Sequence, residues 1–303
     1  MNTDAAQSIA GDPPSVVILT FNEEPNIASC LESCSRLSDD LVVLDSGSTD
    51  RTVDIARKFP NVRVFHRPFD TEYKQRNYGV REIEYRHPWL YICDADERLP
   101  QPLIQEIIQK TSDPANPFVA YRTRYRNIFR GKWIKHASSY PSWIIRLVRP
   151  GSVTYEVRET NIHPVVDGPI GELQEHFEHY SFNSGLVRWF SKHNYYSSRE
   201  AQEGAKVRRQ GLPPVSALLN RDPMKRRRAL KNVSYFLKGR GVWRFLHSYF
   251  LSGGWLDGSA GFHYCAMVAM YEYWIDLKMR EFERPWTQKN EAATQRLLLE
   301  VNA

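Results

Sequence analysis

With 303 residues, 42% hydrophobic and 13% aromatic, the chain can build one large domain or a domain plus an appendage, and its core content excludes disorder. No run approaches the ~20 apolar residues that a membrane-spanning helix needs; the longest candidate, Cys265–Tyr271, is far shorter. The net charge of +6 is unevenly held: residues 186–250 carry fifteen Lys and Arg against Glu200, Glu203 and Asp222, which places a boundary near residue 185.

Residues 1–14 are polar, lack the apolar stretch of a signal peptide and read as a flexible leader. Ser15–Thr20 is an apolar run of strand length. It is followed by polar Asn22, Glu23 and Glu24, and Pro25 suits the first turn of a helix bearing Ile27, Leu31 and Cys34. Leu41–Leu44 is a second buried strand ending at Asp45, with a Ser46-Gly47-Ser48-Thr49 turn and a helix over 50–59 behind it. Val62–Phe65 is a third strand, Glu72–Glu84 a helix, and Trp89–Cys93 a fourth strand. Strands alternating with helices of this length predict βαβ units around a parallel sheet. A further helix is expected near Pro102–Lys110. Phe118–Arg126 and Trp143–Arg149 alternate as strands with no clear helix between them, so the sheet is expected to gain antiparallel members. Beyond residue 185 the pattern turns helical. Val242, Phe245, Leu246, Tyr249 and Phe250 form an apolar stripe, and a last helix is expected over 259–283. Cys30, Cys34, Cys93 and Cys265 show no CxxC spacing; Cys30 and Cys34 lie one helical turn apart and are expected to face a core, in a reducing, cytosolic compartment.

Asp94-Ala95-Asp96 follows the fourth strand directly. Two carboxylates one residue apart at the carboxyl end of a buried strand suit a divalent cation and a sugar diphosphate, since the cation takes hard oxygen ligands and bridges phosphates that would otherwise repel them. The pattern also occurs as a solvated turn, so its neighbours decide its meaning.

Four segments in order resemble a family-2 glycosyltransferase of the GT-A fold: 16–24 (VVILTFNEE), 42–50 (VVLDSGSTD), 74–79 (KQRNYG) and 92–97 (ICDADE). The resemblance spans roughly residues 15–185 and is closest to the cytoplasmic transferases that extend lipopolysaccharide core or other envelope glycans. It implies an α/β, Rossmann-like, mostly parallel central sheet flanked by helices. The chain then divides into a leader (1–14), a GT-A catalytic domain (15–185) and a helical, basic, aromatic-rich extension (186–303). It also implies an inverting hexosyltransferase that moves a sugar from a nucleotide-diphospho-sugar, UDP favoured, to a hydroxyl of a lipid-linked or other envelope glycan, with Mn²⁺ or Mg²⁺.

Carried onto these positions, Thr20, Phe21, Asn22 and Glu23 wall the nucleoside, and Asp45 accepts from the N3–H of uracil or thymine. Arg76 faces the diphosphate, Asp94 holds ribose or sugar, and Asp96 binds the metal. Asp45 can equally serve its own turn, Arg76 a solvated helix face, and Glu97 a cap for the following helix. The acceptor hydroxyl needs a base. Glu159 matches best, with Arg158 where the family commonly has a histidine; Glu156 is the runner-up, and Glu172 and Glu175 stay open. Trp133, Lys135 and His136 lie in a stretch suited to an acceptor wall, and His163 can touch acceptor or phosphates.

The basic extension allows three roles: solvated helix faces, a nucleic-acid surface, or a peripheral patch on an anionic membrane. Each basic residue near such a membrane contributes ~1 kcal/mol. The membrane role is expected and nucleic acid is not, since no nucleic-acid-binding module is visible. Two rivals remain. A nucleotidyltransferase would release diphosphate from a nucleoside triphosphate and usually shows a glycine-rich loop, which is missing here. A degenerate transferase acting as a lipid- or polyanion-binding module is disfavoured by intact Asp45, Asp94 and Asp96. Donor sugar, acceptor, linkage and oligomeric state are not written in the sequence.

Overall fold

In chain order the first elements are β1 (Ser15–Thr20), α1 (Glu24–Cys34), β2 (Leu41–Asp45), α2 (Thr52–Ala56), β3 (Val62–His66), α3 (Glu72–Arg81) and β4 (Leu90–Asp94). The computed structural model describes residues 11–138, 140–157, 162–220 and 223–283. The chain falls into two compact units, residues 1–135 with 139–185, and 136–138 with 186–303.

In the first unit, β3, β2, β1 and β4 lie side by side, all parallel. β1, β2 and β4 are apolar because both faces of a parallel sheet are covered. Val16 and Ile18 pack on one side with Ile27, Leu31, Leu103 and Ile107, while Val17 packs on the other with Leu44, Val80 and Ile92. Each such side chain contributes ~1.5–3 kcal/mol when fully buried. The thiols of Cys30, Cys34 and Cys93 meet in this core, with Sγ of Cys93 3.7 Å from Cys30 and 4.0 Å from Cys34. The helix expected over 50–59 is shorter, because the Asp50 carboxylate stays outside it and accepts from the Thr52 amide at 3.0 Å.

The pattern changes after β4, with β5 (Glu97–Arg98), α4 (Gln101–Thr111), β6 (Ala120–Phe129), β7 (Lys132–Trp133), β8 (Trp143–Val148), β9 (Val153–Tyr155), β10 (Pro164–Val166) and β11 (Ile170–His179). β8 pairs antiparallel with both β4 and β6, and β11 pairs parallel with β6 and antiparallel with β5. The sheet therefore runs β3-β2-β1-β4-β8-β6-β11-β5, with β7 folded back on β6 and β9–β10 a separate hairpin. Of the expected leader, residues 1–10 lie outside the described residues; Asp12 is tied to α4 through Thr111 Oγ1, which donates to its carbonyl at 2.6 Å.

The second unit is helical: α5 (Leu186–Gln210), α6 (Val215–Leu218), α7 (Pro223–Ser234), α8 (Arg240–Leu246), a π-helical turn (His247–Leu251), a 3₁₀ turn (Gly254–Asp257) and α9 (Gly258–Glu283). Ala201, Tyr235, Ile275 and Met279 form its buried cluster, and Gly204 lets α5 approach closely, since a Cβ there would meet Tyr235 at 2.8 Å. The stripe beginning at Val242 behaves differently from a core stripe. Phe245 and Tyr249 stack together and meet Phe262, whereas Val242 (65%), Leu246 (39%) and Phe250 (57%) stay exposed. The π-helical turn interrupts the 3.6-residue period there. No helix among the described residues is long and apolar enough to cross a membrane.

Candidate active site

Three neighbouring parallel strands finish together. Thr20 is the register partner of Asp45, and Leu19 of Asp94. The strand order reverses between β1 and β4, which is where open α/β sheets leave a crevice at their carboxyl ends.

On one side of the crevice, the loops after β1 and β2 are stitched to each other. Asn22, in the left-handed region at φ 54°, accepts from the amides of Thr49 (2.7 Å) and Asp50 (3.3 Å) and donates its own amide to Ser48 Oγ at 2.8 Å. The amide of Glu23 donates to Thr52 Oγ1 (2.8 Å), and its carboxylate accepts from Asn26 (2.8 Å). Asp45 is buried, and its oxygens accept from the amides of Gly47 (2.9 Å) and Ser48 (3.0 Å), the Ser48 hydroxyl, and His66 Nδ1 (3.3 Å). Phe21 is half exposed, while the Thr20 hydroxyl is buried with no hydrogen-bond partner among the described residues.

The D-x-D holds a denser arrangement. Arg76, from α3, donates to Asp94 Oδ1 at 3.2 Å and to Glu72 at 3.1 Å. Arg146, from β8, donates to Asp94 Oδ2 at 2.6 Å and also binds Glu97. Burial alone would raise the Asp94 carboxyl, but Arg146 and Arg76 hold it well below the usual carboxylate range. Burial pushes Glu97 up to about 7 against the pull of Arg146, with Asp94 and Asp96 adding to the push. Glu97 is therefore no helix cap. Its carboxylate turns inward to Arg146 and to the Asp94 amide (3.3 Å), and α4 starts after Pro100 with no side-chain cap.

Asp96 faces His179, the last residue of β11, with Oδ2 3.3 Å from Nε2. The other ring nitrogen, Nδ1, lies 2.9 Å from Asn127 Oδ1, to which it donates. Burial opposes the charged ring, yet the neighbouring Asp96 raises the His179 pKa overall. The Asp96 carboxylate and the neutral form of the His179 imidazole would together suit a divalent cation.

The remaining expected residues separate into two places. Glu156 and His163 pair across the β9–β10 hairpin, with the His163 amide 3.3 Å from Glu156 Oε1. Glu159 and Arg158 lie outside the described residues. Trp133 and Lys135 meet beside β6, where the Lys135 ammonium sits 5.6 Å from the Trp133 ring centre. His136 belongs to the second unit, where Asp257 binds its amide and its Nδ1, both at 2.9 Å.

Sequence reasoning missed Arg146 and His179, and gave Glu97 only the role of a helix cap. Arg146 had a readable signal, a lone cation inside the apolar run Trp143–Val148, which has to be paired if that run is buried. His179 had none, because it is the pairing of β11 with β5, which sets His179 opposite Glu97, that carries it to the D-x-D.

Residues 15–180 match the model for glycosyl transferase family 2. The chain belongs to that family. It is a glycosyltransferase dependent on a nucleotide sugar, with a GT-A fold followed by a helical carboxyl-terminal region. The transferase is 25% identical over 271 residues to the lipopolysaccharide core biosynthesis glycosyltransferase LpsC of Rhizobium meliloti, a match covering 86% of this chain and 89% of that one. It is 27% identical over 277 residues to an uncharacterized glycosyltransferase of Rickettsia typhi, covering 88% and 86%. Among solved structures, S. aureus TarS 1–349 aligns over 91% of this chain and 93% of that one, with a TM-score of 0.42 and 11% identity.

Proposed function

We propose that this transferase inverts configuration as it moves a hexose from a UDP-sugar to a hydroxyl of a lipopolysaccharide core or other lipid-linked envelope glycan. The observation that carries the reading is the shared crevice: Asp45, Thr20 and Asp94 at adjacent strand ends, with Asp96 and His179 beside them. The uracil lies against the Thr20–Glu23 loop and is read by Asp45. Arg76 presents its fork to the diphosphate, and Asp94 takes the ribose or sugar hydroxyls.

Asp96 and His179 would hold Mn²⁺ or Mg²⁺, which when bound neutralises charge on the departing diphosphate. The acceptor oxygen attacks the anomeric carbon as its bond to the diphosphate oxygen breaks, and a glutamate takes the acceptor proton. Glu159 is the base and Glu156 the alternative. The similarity to LpsC supports the acceptor class.

The protein works at the cytoplasmic face of the membrane as a peripheral enzyme. The exposed Val242, Trp243, Leu246 and Phe250 support this, together with the basic charge of residues 186–250.

The test is thermal unfolding against UDP-, dTDP-, GDP- and CMP-sugars, each with and without Mn²⁺. A ligand at a hundredfold excess over its dissociation constant adds ~2.7 kcal/mol to the native state. A Mn²⁺-dependent rise with UDP-sugars is expected. A rise with another nucleotide only would overturn the base assignment, and no rise at all would overturn the donor site.

A further inference from the structure

On β6, Arg122, Arg124 and Arg126 occupy alternate positions and so project from one face of the sheet. Aromatic rings receive them in order. Arg122 lies 5.0 Å and Arg124 5.3 Å from the centre of Trp143, and Arg126 lies 4.2 Å from Trp133, which Lys135 also approaches. Tyr140 closes the row, 5.0 Å from Trp133 and 6.0 Å from the Arg124 guanidinium.

Arg122 is paired with Glu172. Arg124, Arg126 and Lys135 differ, for among the described residues no carboxylate lies within ion-pair distance of them. The Nε of Arg124, the Nε of Arg126 and the Nε1 of Trp133 are shielded from water and lack a hydrogen-bond partner among those residues. A buried donor left unmet costs ~1–3 kcal/mol, so cations stacked here without an acid are poorly explained as packing. Glu178, in register with Arg126, is turned away to accept from the Tyr180 hydroxyl at 2.7 Å. His176, in register with Arg124, is lowered in pKa by burial and by Arg126 and Arg124, so at neutral pH it adds no charge but can hydrogen-bond.

The face is also the relevant one. Arg122 pairs in register with Ile145, and Ile145 packs in the same cluster as Tyr155, Ile92 and Leu90. Asp94 continues the Leu90–Ile92 alternation, and Arg76 lies 5.8 Å from the Tyr155 ring. The arginine row thus shares a sheet face with Arg76 and Tyr155.

We propose that Arg124, Arg126 and Lys135, with Trp133, Tyr140 and Trp143, form the acceptor subsite, and that this subsite selects a sugar bearing a carboxylate or a phosphate. It rests on the transferase reading above and adds the chemical class of the acceptor. Guanidinium forks bind both oxyanions in a bidentate way. Flat aromatic rings offer an apolar bed for a pyranose ring. The donor diphosphate is met elsewhere, at Arg76 and Asp96, so this second cationic row is left for the other substrate.

The experiment is calorimetric titration of the full chain with glucose 6-phosphate, glucuronate and glucose, after saturation with UDP and Mn²⁺. Both anions are expected to bind and glucose is not; the tighter anion names the oxyanion the subsite takes. In Arg124→Gln/Arg126→Gln the dissociation constants for both anions rise at least tenfold, while the thermal shift given by UDP and Mn²⁺ is unchanged. Arg126→Lys, which keeps the charge and loses the fork, falls between the two and guards against a misfolded double variant. Equal binding of glucose, unchanged anion affinity in the double variant, or no anion binding by a protein that still binds UDP would overturn the subsite alone. Failure of UDP itself to bind would overturn the donor reading first.

Discussion

Two groups of arginines in the first unit face opposite electrostatic circumstances. Arg146 is paired with Asp94 and with buried Glu97, and Arg76 with Asp94 and Glu72, so both cations meet acids of the chain itself. Arg124 and Arg126 lie on aromatic rings, with no carboxylate in ion-pair range among the described residues. The first group makes the D-x-D a rigid, internally compensated floor. The second keeps its charge for something that is not part of the chain. Arginine count alone would treat the two regions as equivalent; the location of the acids separates them.

The comparison is broken most severely at Asp96, which faces His179 rather than an arginine of the floor. Asp96→Ala is expected to lower transfer by at least ~10³-fold, the loss of about 4 kcal/mol of charge stabilisation. Folding should survive, since the Arg146 network does not pass through that side chain. Turnover and thermal unfolding measured on one preparation check both halves, and normal turnover would remove the metal from the site.

Arg146 tests the same contrast through stability. Arg146→Met leaves Glu97 and Asp94 buried without their main partner, and breaking a buried pair in this way costs ~3–5 kcal/mol. Arg126→Met abandons no acid and loses only its stacking, worth about 1 kcal/mol. Denaturant unfolding of the two variants should differ accordingly, with Arg146→Met/Glu97→Gln recovering part of the loss. Equal costs would mean that the β6 arginines are structural after all.

A third variant sharpens the metal side. His179→Phe keeps the ring volume and removes Nε2, so Mn²⁺ affinity measured in the presence of UDP should fall by about 10–100-fold. Binding of UDP without metal should be unaffected.

How far the sequence announces this arrangement depends on how local each interaction is. β1, β2 and β4 are continuous apolar runs closed by polar turns, so both the strands and the acids at their ends are legible. Asp45, Asp94 and Asp96 stand at positions fixed by the chain immediately before them. Arg146, Glu97 and His179 reach the D-x-D from β8, β5 and β11, and their roles exist only once an antiparallel strand and a distant parallel one have joined the sheet. The stripe from Val242 misled for a related reason. Helical spacing shows that one face is apolar, but whether anything covers it is decided by neighbours, and here Val242 and Phe250 remain exposed. The β6 arginines alternate visibly in Arg122-Thr-Arg-Tyr-Arg126, yet their lack of acids is a fact of three dimensions.

The smallest expected effect lies in the second unit, where acids are paired with cations, as in Glu200 with Lys231 at 2.6 Å and Arg240 with Glu272 at 2.5 Å. Among the described residues, His193 there has no acid to accept its proton. Its ring stacks on Trp189 at 3.6 Å and meets Tyr196 and Tyr271 edge-on, and its Nδ1 donates to the Trp189 carbonyl at 2.8 Å. Burial, with Lys192 adding to it, lowers its pKa to about 4 against the backbone bond that favours the charged ring. An unfolded histidine titrates near 6.5. A group depressed in the native state contributes its full stability above 6.5 and loses it as the pH falls towards 4, because the unfolded chain gains the proton first. Partial exposure of the ring limits the loss to about 1–2 kcal/mol at pH 4.5. Amide hydrogen exchange over residues 186–283 should therefore quicken between pH 6.5 and 4.5, after correction for intrinsic rates. His193→Phe should flatten that dependence while leaving exchange in β1 and β4 unchanged; an undiminished slope in the variant would assign the acid sensitivity to other groups.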